Sequence, residues 1–85
     1  MMYARTISFT LLAPSIWPLV EAVAKTSIDE PVKRYLMRSN NNAGIVMEIF
    51  SSKTEAAQNL GVLKAIQALN EQAMAKVAIA EGDLL

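Results

Sequence analysis

The sequence predicts a small α+β domain whose antiparallel sheet is built in the order β-α-β-β-α-β. Two segments of alternating pattern, 32–39 and 45–50, flank an Asn- and Gly-rich turn at 40–44. Asn and Gly tolerate the left-handed backbone angles that reverse a hairpin. Ser52 is followed three positions later by Glu55, a capping-box pattern that predicts a helix start. Strand, turn, strand and helix therefore follow one another directly.

The first strand and helix precede this hairpin. Residues 3–11 alternate in polarity, which is typical of a strand with one buried face. The apolar face holds Tyr3, Ile7, Phe9 and Leu11. Pro14 ends the strand, Ser15 is the predicted cap, and a helix is expected from Ile16 to about Thr26. Its apolar positions are spaced i, i+3, i+4 and i+7, at Ile16, Leu19, Val20 and Val23.

The second helix and the end of the chain complete the predicted order. An apolar stripe at helical spacing runs from the Ser52 cap to about Ala73, and Gly61 marks a kink or break within it. Residues 76–81 alternate weakly and fit either a fourth strand or an extension of the helix. We favour the strand, because a three-stranded sheet would leave an edge exposed.

Composition narrows the possible partners and cofactors. The 85 residues, which we expect to form a single domain over 1–85, are 53% hydrophobic. This is more apolar surface than one small subunit can bury, so a homodimer is expected. Formal net charge is zero, which argues against nucleic acid and anionic membranes as partners. The sequence has no Cys and no His, so neither thiolate nor imidazole can ligate a metal, and we expect no cofactor.

The apolar N-terminal segment permits a second interpretation. Residues 1–24 could be a secretory signal, with Arg5 in the charged region and 22–24 as a small-residue cleavage site. Polar residues and prolines interrupt the apolar run and argue against a signal peptide and against a membrane-spanning helix. The predicted location is therefore cytoplasmic.

The predicted order is that of the ferredoxin-like split βαβ fold, and within it the chain resembles the antibiotic biosynthesis monooxygenase (ABM) family. The resemblance is carried by the middle third of the chain. Members often have an Arg-Tyr-x-x-x-Arg-Ser-like second strand, a polar turn, a third strand ending in Glu-x-aromatic, and then Ser-x-x-Glu-Ala. The corresponding segments here are 34–39, 40–44, 48–50 and 52–56.

The resemblance implies a dimeric α+β barrel, in which two sheets pair face to face and a pocket lies between each sheet and its own helices. Many enzymatic members use no metal or flavin and oxidise electron-rich aromatic or polyketide substrates that supply the reducing power themselves. Haem-degrading relatives use an axial His. By local matching, Asn59 occupies the place where many relatives have a His, and Asn cannot act as a general base near neutral pH. A haem-degrading role is therefore not expected.

Seven residues are candidates for a site, although no catalytic residue is assigned. The pocket-lining candidates are Trp17, Tyr35, Asn59, Phe50 and Met47. Each also has a structural interpretation, since aromatic residues and Met commonly fill cores and interfaces. Arg34 and Arg38 lie on one face of the second strand and could clamp a carboxylate or sulfate. The favoured alternative is a cross-strand or intersubunit ion pair, with Glu48 on the third strand as a candidate partner.

Two functions remain open from the sequence. The first is a cofactor-independent monooxygenase acting on a small aromatic or polyketide-like compound. The second is a non-catalytic dimeric barrel that binds a small hydrophobic ligand or serves as an assembly module. A regulatory ligand domain is less favoured, because the chain has no Gly-rich ligand loop.

Overall fold

The computed structural model describes residues 2–24 and 33–85. The strands are β1 (Tyr3–Leu11), β2 (Lys33–Arg38), β3 (Ala43–Phe50) and β4 (Met74–Asp83). The helices are α1 (Trp17–Ala24), which a 3₁₀ turn at Pro14–Ile16 precedes, α2 (Lys53–Gln58) and α3 (Gly61–Ala73).

The four strands form one antiparallel sheet in the order β2-β3-β1-β4, which confirms the predicted α+β ferredoxin-like class. β1 and β3 are central, and their register runs from Tyr3 opposite Phe50 to Thr10 opposite Ala43. The side chains of β1 are alternately buried and half-buried. The sheet therefore has a covered face, against which the helices pack, and an open face on the other side.

The covered face carries the hydrophobic core. Odd-numbered residues of β1 and even-numbered residues of β3 point to it. The main buried cluster comprises Ile7, Phe9, Leu11, Trp17, Val20, Ala24, Val46, Val62, Ile66 and Met74. Burial of each large apolar side chain stabilises the fold by about 1.5–3 kcal/mol. The core thus joins α1 and α3 to the sheet.

The start of α1 differs from the prediction. Ala13, in extended conformation, precedes the 3₁₀ turn, and no side chain caps that turn, so the predicted cap at Ser15 is wrong. The buried face of α1 is formed by Trp17, Val20 and Ala24, whereas Leu19 is about half exposed. The helix is rotated from the predicted stripe because Trp17 packs onto the sheet. The predicted last turn, 25–26, lies outside the described residues.

The predicted second helix is divided into α2 and α3. α2 ends at Gln58 and α3 begins at Gly61, so the break expected near Gly61 is confirmed. The Ser52 hydroxyl accepts a hydrogen bond of 3.1 Å from the Glu55 N–H, as predicted for the cap. The Glu55 carboxylate instead accepts from the hydroxyl of Ser51. It therefore reaches back one residue beyond the cap.

The end of the chain forms β4, which confirms the strand interpretation and extends it beyond the predicted 76–81. β4 pairs with β1 along its length, with a shift in register where Thr10 lies opposite Lys76 and Leu11 opposite Met74. The bulge formed by the extra residue bends the strand locally. The hairpin of β2 and β3 also has the predicted antiparallel pairing; Val32 and the predicted breaker at 29–31 lie outside the described residues.

Candidate functional site

A cavity of about 370 Å³ lies between α1 and the edge strand β2. Glu21 and Ala24 line it from α1, and Arg34, Tyr35 and Leu36 line it from β2. Because β2 is at the edge of the sheet, residues from both of its faces can border the cavity.

The walls of this cavity combine charge with apolar surface. Glu21 supplies a half-buried carboxylate, Tyr35 a phenol that is 56% exposed, and Ala24 and Leu36 supply apolar surface. The Arg34 guanidinium is oriented by Glu48, whose Oε2 accepts from Arg34 Nη2 at 2.7 Å and from Nε at 3.1 Å. Both donors converge on this one oxygen, and the charge-assisted bonds restrict the orientation of the guanidinium. Arg34 is thus a positioned part of the wall.

Glu48 is fully buried and also pairs with Arg5, which is 1% exposed. Arg5 Nη1 lies 3.4 Å from Glu48 Oε1, and Arg5 Nε donates to Glu81 Oε2 at 3.0 Å. The guanidiniums of Arg5 and Arg34 and the carboxylates of Glu48 and Glu81 therefore neutralise one another along the covered face. Buried charges require such pairing, because desolvation of an unpaired ion is very costly.

Arg5 also holds the end of α2. Its Nη2 donates to the carbonyl oxygen of Ala56 at 2.8 Å, and its Nη1 donates to that of Asn59 at 3.1 Å. The last carbonyls of a helix lack the regular partners of the helix interior. The Ala56 carbonyl accepts a 3.3 Å bond from the Asn59 N–H, and the buried Arg5 side chain supplies a further donor. Its guanidinium also lies 5.0 Å from the centre of the Phe50 ring. Arg5 thus ties α2 to the sheet beside the helix break.

The outer end of this charge cluster shifts two pKa values. The hydrogen bond from Arg5 is the main cause that lowers the pKa of Glu81, and a bond from Tyr3 adds to it. Burial, followed by the hydrogen bond that its hydroxyl donates to Glu81 at 3.0 Å, raises the pKa of Tyr3. The ionised Glu81 and the neutral Tyr3 phenol are therefore the favoured forms.

Trp17 lies at the other end of the covered face and is tightly held. Its indole N–H donates to the carbonyl oxygen of Asn41 at 2.7 Å, and its ring meets Phe9 edge to face at 5.5 Å. The Arg38 guanidinium lies 4.5 Å from the ring centre. Gly44 makes this packing possible, since a Cβ there would be 2.6 Å from Trp17 Cη2. Trp17 is a core residue in this structure.

The structure does not bring the five predicted pocket residues together. Trp17 and Phe50 are buried on the covered face. Asn59 caps α2, and its side-chain amide donates to the Glu55 carbonyl. Tyr35 and Met47 face each other across β2 and β3 on the open face, where both are substantially exposed. Of the five, Tyr35 is the one that borders the cavity.

The two predicted anion-contact residues are also separated. Arg34 and Arg38 are four residues apart, which is about 13 Å along a strand, too far for one small anion to bridge. Arg34 pairs with Glu48 and Arg38 stacks on Trp17. The alternative of a cross-strand pair with Glu48 is therefore confirmed for Arg34.

Sequence reasoning missed two residues that the structure makes prominent. Arg5 has the same strand parity as Tyr3 and Ile7. The two-residue period of a strand therefore predicts that its side chain points to the same, buried face. Glu21 follows Trp17 by four residues, which places it beside the buried face of α1 once Trp17 is known to be buried. That burial could not be read from helical periodicity alone.

In 2–24 and 33–85, no group of three or more acidic side chains is arranged to hold a metal ion. No helix in these same segments is both long enough and apolar enough to cross a membrane.

Comparison with known proteins places the fold. No protein-family model matches the chain, and no curated protein is detectably similar in sequence. Among solved structures, a protein of unknown function from Nitrosomonas europaea matches with a TM-score of 0.80 and 12% identity, over 99% of this chain and 89% of that one. A candidate antibiotic biosynthesis monooxygenase from Caulobacter crescentus matches with a TM-score of 0.74 and 22% identity, over 99% and 90%.

A third structure is that of SnoaB, a cofactor-independent oxygenase from Streptomyces nogalater. It matches with a TM-score of 0.73 and 17% identity, over 99% of this chain and 93% of that chain. Each likeness extends over nearly the whole of both chains, so it concerns the complete arrangement of strands and helices. The chain therefore has the ferredoxin-like α+β fold of the antibiotic biosynthesis monooxygenase-like proteins.

Proposed function

We propose that this protein is a cofactor-independent monooxygenase that oxidises a small aromatic or polyketide-like compound in the cavity between α1 and β2. The observation that carries the proposal is the cavity itself, where Glu21 and Tyr35 border apolar surface from Ala24 and Leu36. The fold is shared with a cofactor-independent oxygenase. An apolar pocket with a few polar groups is the usual form of a small-molecule site.

The reaction is balanced without an added reductant when the substrate is an anthrone. The ring CH₂ becomes a carbonyl and gives up four electrons, which reduce O₂ completely. One oxygen atom enters the new carbonyl and the other leaves as water. Glu21 would accept the proton that leaves the carbon, and the Tyr35 phenol would donate a hydrogen bond to the oxyanion that forms.

Oxygen uptake with the anthrone dithranol tests this proposal. Dithranol should be consumed with O₂ in a ratio of one to one, beyond its spontaneous oxidation. Glu21→Gln keeps the shape of the side chain and removes its basicity, and should reduce the rate at least tenfold. Asp83→Asn is the matched control, because it removes a carboxylate at the end of β4, outside the cavity. Equal rates for the wild type and Glu21→Gln would contradict the proposed role of Glu21.

The second candidate function is non-catalytic binding of a small hydrophobic molecule. This function is favoured because the chemically versatile residues already have structural roles. Trp17 is held in the core, and Arg5 and Glu48 neutralise each other. Dithranol would then bind without oxygen uptake. Chemical shift changes at Glu21 and Leu36 in the absence of turnover would establish binding alone and exclude the enzymatic reading for this substrate.

We further propose that the open face is the interface of a homodimer. Its β2–β3 half carries bulky side chains, with Met37 and Met47 each at least 40% exposed. Its β1–β4 half carries small ones, namely Ala4, Thr6, Ser8, Ala78 and Ala80. Two copies related by a twofold axis can place the bulky half of each on the small half of the other.

Sedimentation equilibrium tests the dimer. The wild type should have twice the mass of the chain at micromolar concentration. Met47→Glu puts a charge into the proposed interface and should give a folded monomer. Leu19→Glu places the same charge on an exposed apolar position of α1 and should leave the dimer intact. A monomeric wild type would refute the interface.

A further inference from the structure

The Arg34 guanidinium is the cationic part of the wall of the cavity between α1 and β2. Its side chain is 7% exposed, and Glu48 Oε2 accepts hydrogen bonds from its Nη2 and Nε. Glu48 itself is fully buried on β3 and does not belong to the lining. The carboxylate therefore lies deeper than the guanidinium, and the positive end of this ion pair is the one that borders the cavity.

Glu48 is also held from its other side. Arg5 Nη1 lies 3.4 Å from Glu48 Oε1, so each oxygen of the carboxylate has a cationic partner. Arg34 is thus held by two converging bonds to a carboxylate that is itself anchored. A cation fixed in this way does not have to reorganise when a charge forms nearby, which is the condition under which electrostatic stabilisation is most effective.

The proposed reaction moves negative charge within this cavity. Glu21 lines the cavity from α1, whereas Arg34 lines it from β2. When the C–H bond of the substrate breaks, its proton goes to a carboxylate oxygen of Glu21. The electron pair stays on the substrate and is delocalised onto its carbonyl oxygen, which gives an enolate. The substrate gains the charge that Glu21 loses, so the cation of β2 interacts more strongly with the transition state than with the neutral substrate.

The surroundings of Arg34 leave this effect in place. The charged and titratable groups around it are Glu21 on α1, Tyr35 on β2, Glu48 on β3, Arg5 on β1 and Glu81 on β4. Glu48, Arg5 and Glu81 are paired with one another outside the lining. Once Glu21 has taken the proton, Arg34 is the charged side chain among the described residues that line the cavity.

We propose that Arg34 stabilises the enolate of the substrate, so that the cavity binds an acidic carbon compound more tightly as its anion than as the neutral molecule. This role rests on the proposed function, because it concerns the same cavity and the same substrate class. The stabilisation is Coulombic and acts without a direct hydrogen bond from Arg34. The low exposure of the side chain limits screening by water, which strengthens the attraction.

Dithranol in the absence of oxygen tests this role, because its ionisation can then be followed without turnover. The enolate is more conjugated than the neutral anthrone, so it absorbs at longer wavelength. In a pH titration with the full chain in excess, the pKa of bound dithranol should be lower than that of free dithranol by about one unit or more, a tenfold change in the ionisation constant. An unshifted or raised pKa of the bound compound would overturn the proposal.

The two arginines of β2 provide a matched pair of variants. Arg34→Met removes the cation that borders the cavity and should abolish most of the shift. Arg38→Met removes a cation from the same face of the same strand, about 13 Å away and outside the cavity lining. It should retain the wild-type shift. Equal losses in the two variants would show an effect of net charge alone and would refute the role of Arg34.

Arg34→Lys keeps a positive charge and a partner for buried Glu48. It should keep part of the shift, since an ammonium is a point charge and does not reproduce the fork of a guanidinium. A shift no larger than that of Arg34→Met would contradict a role of the charge. Thermal unfolding verifies the fold of each variant. If Arg34→Met does not fold, the shift in the wild type decides, and Arg34→Lys should reduce it without abolishing it.

Oxygen uptake separates this role from the proposed function. Catalysed uptake together with an unshifted pKa of bound dithranol would refute the role of Arg34 and leave the monooxygenase in place. A shifted pKa without catalysed uptake would refute the monooxygenase and support Arg34 as the anion-stabilising group of a binding site. Dithranol that does not bind the protein would refute both.

Discussion

The two faces of the sheet are built from the same four strands but differ in how their side chains are satisfied. On the covered face, apolar residues are buried and the charges of Arg5 and Glu48 are paired within the subunit. On the open face, Tyr35 and Met37 are more than half exposed, and Lys76 forms no ion pair among the described residues. The helices cover one face, whereas the other face is open in this chain and is the one that we propose as the dimer interface.

The largest effect that would test this contrast is expected at Arg5. Arg5→Met removes one partner of buried Glu48 and the side-chain donor to the carbonyls of Ala56 and Asn59. We expect the free energy of unfolding to fall by about 3–5 kcal/mol, as measured by urea denaturation. Lys33→Met removes a cation from the exposed face and should change it by less than about 0.5 kcal/mol.

Similar losses for these two variants would contradict the distinction between the faces. Arg5→Met is also expected to loosen α2 selectively. Hydrogen exchange should therefore accelerate first at α2, because its terminal carbonyls are the groups that lose a partner.

A smaller effect is expected from adding one methyl group at Gly44. A Cβ there would lie 2.6 Å from the Met37 carbonyl oxygen and 2.6 Å from Trp17 Cη2. The carbonyl belongs to the backbone and cannot move aside easily, so Gly44→Ala should cost about 1–3 kcal/mol. It should also alter the fluorescence of Trp17, the single tryptophan.

Gly61 supplies the control for that substitution. A Cβ at Gly61 meets nothing within 4 Å, and the residue begins α3. Gly61→Ala should therefore be neutral or stabilise the fold by up to about 1 kcal/mol. Equal destabilisation by the two substitutions would show that Trp17 does not require the space at Gly44.

The smallest predicted effect is the contribution of Glu81 to the pH dependence of stability. The pKa of Glu81 is lowered in the folded protein, so the stability that it contributes is present above its unfolded value of 4.5 and is lost as pH falls through the folded value. Because its side chain is 38% exposed, solvent screens the interaction, and we expect a contribution of about 1 kcal/mol or less. Glu81→Gln should therefore reduce stability near neutral pH, and its effect should diminish as the pH falls below 4.5.

Denaturation curves measured across that pH range provide the test. Asp83→Asn, also on β4, is the control and should retain the acid dependence of the wild type. An undiminished acid dependence in Glu81→Gln would assign the titration to another group.

Local patterns predicted most of the fold. The alternation in β1, the Ser52 cap and the break near Gly61 each depend on residues close together in sequence, and each was confirmed. The hairpin also forms, but Ala43 and Gly44 of the predicted turn belong to β3, and no described residue has the left-handed backbone angles that were expected. The cap at Ser15 failed because Pro14 starts a 3₁₀ turn before α1. The choice between strand and helix for 76–81 was settled by pairing with β1, a contact between the two ends of the chain.

The candidate site was less predictable, because it depends on which residues meet across elements. Tyr35 and Phe50 are both aromatic residues of the predicted hairpin, yet strand parity and sheet order place them on opposite faces. Glu21 borders the cavity because α1 is oriented with Trp17 in the core. Neither composition nor periodicity contains that information.

The sequence by itself determined the order and type of the elements, since backbone preferences and the periods of 2 and 3.6 residues act over short distances along the chain. The tertiary structure decided the rotation of α1, the pairing of Arg5 with Glu48 and Glu81, and the separation of a complete face from an open one. These features depend on packing and charge neutralisation between residues as far apart in sequence as Arg5 and Glu81, which become neighbours only when the sheet has formed.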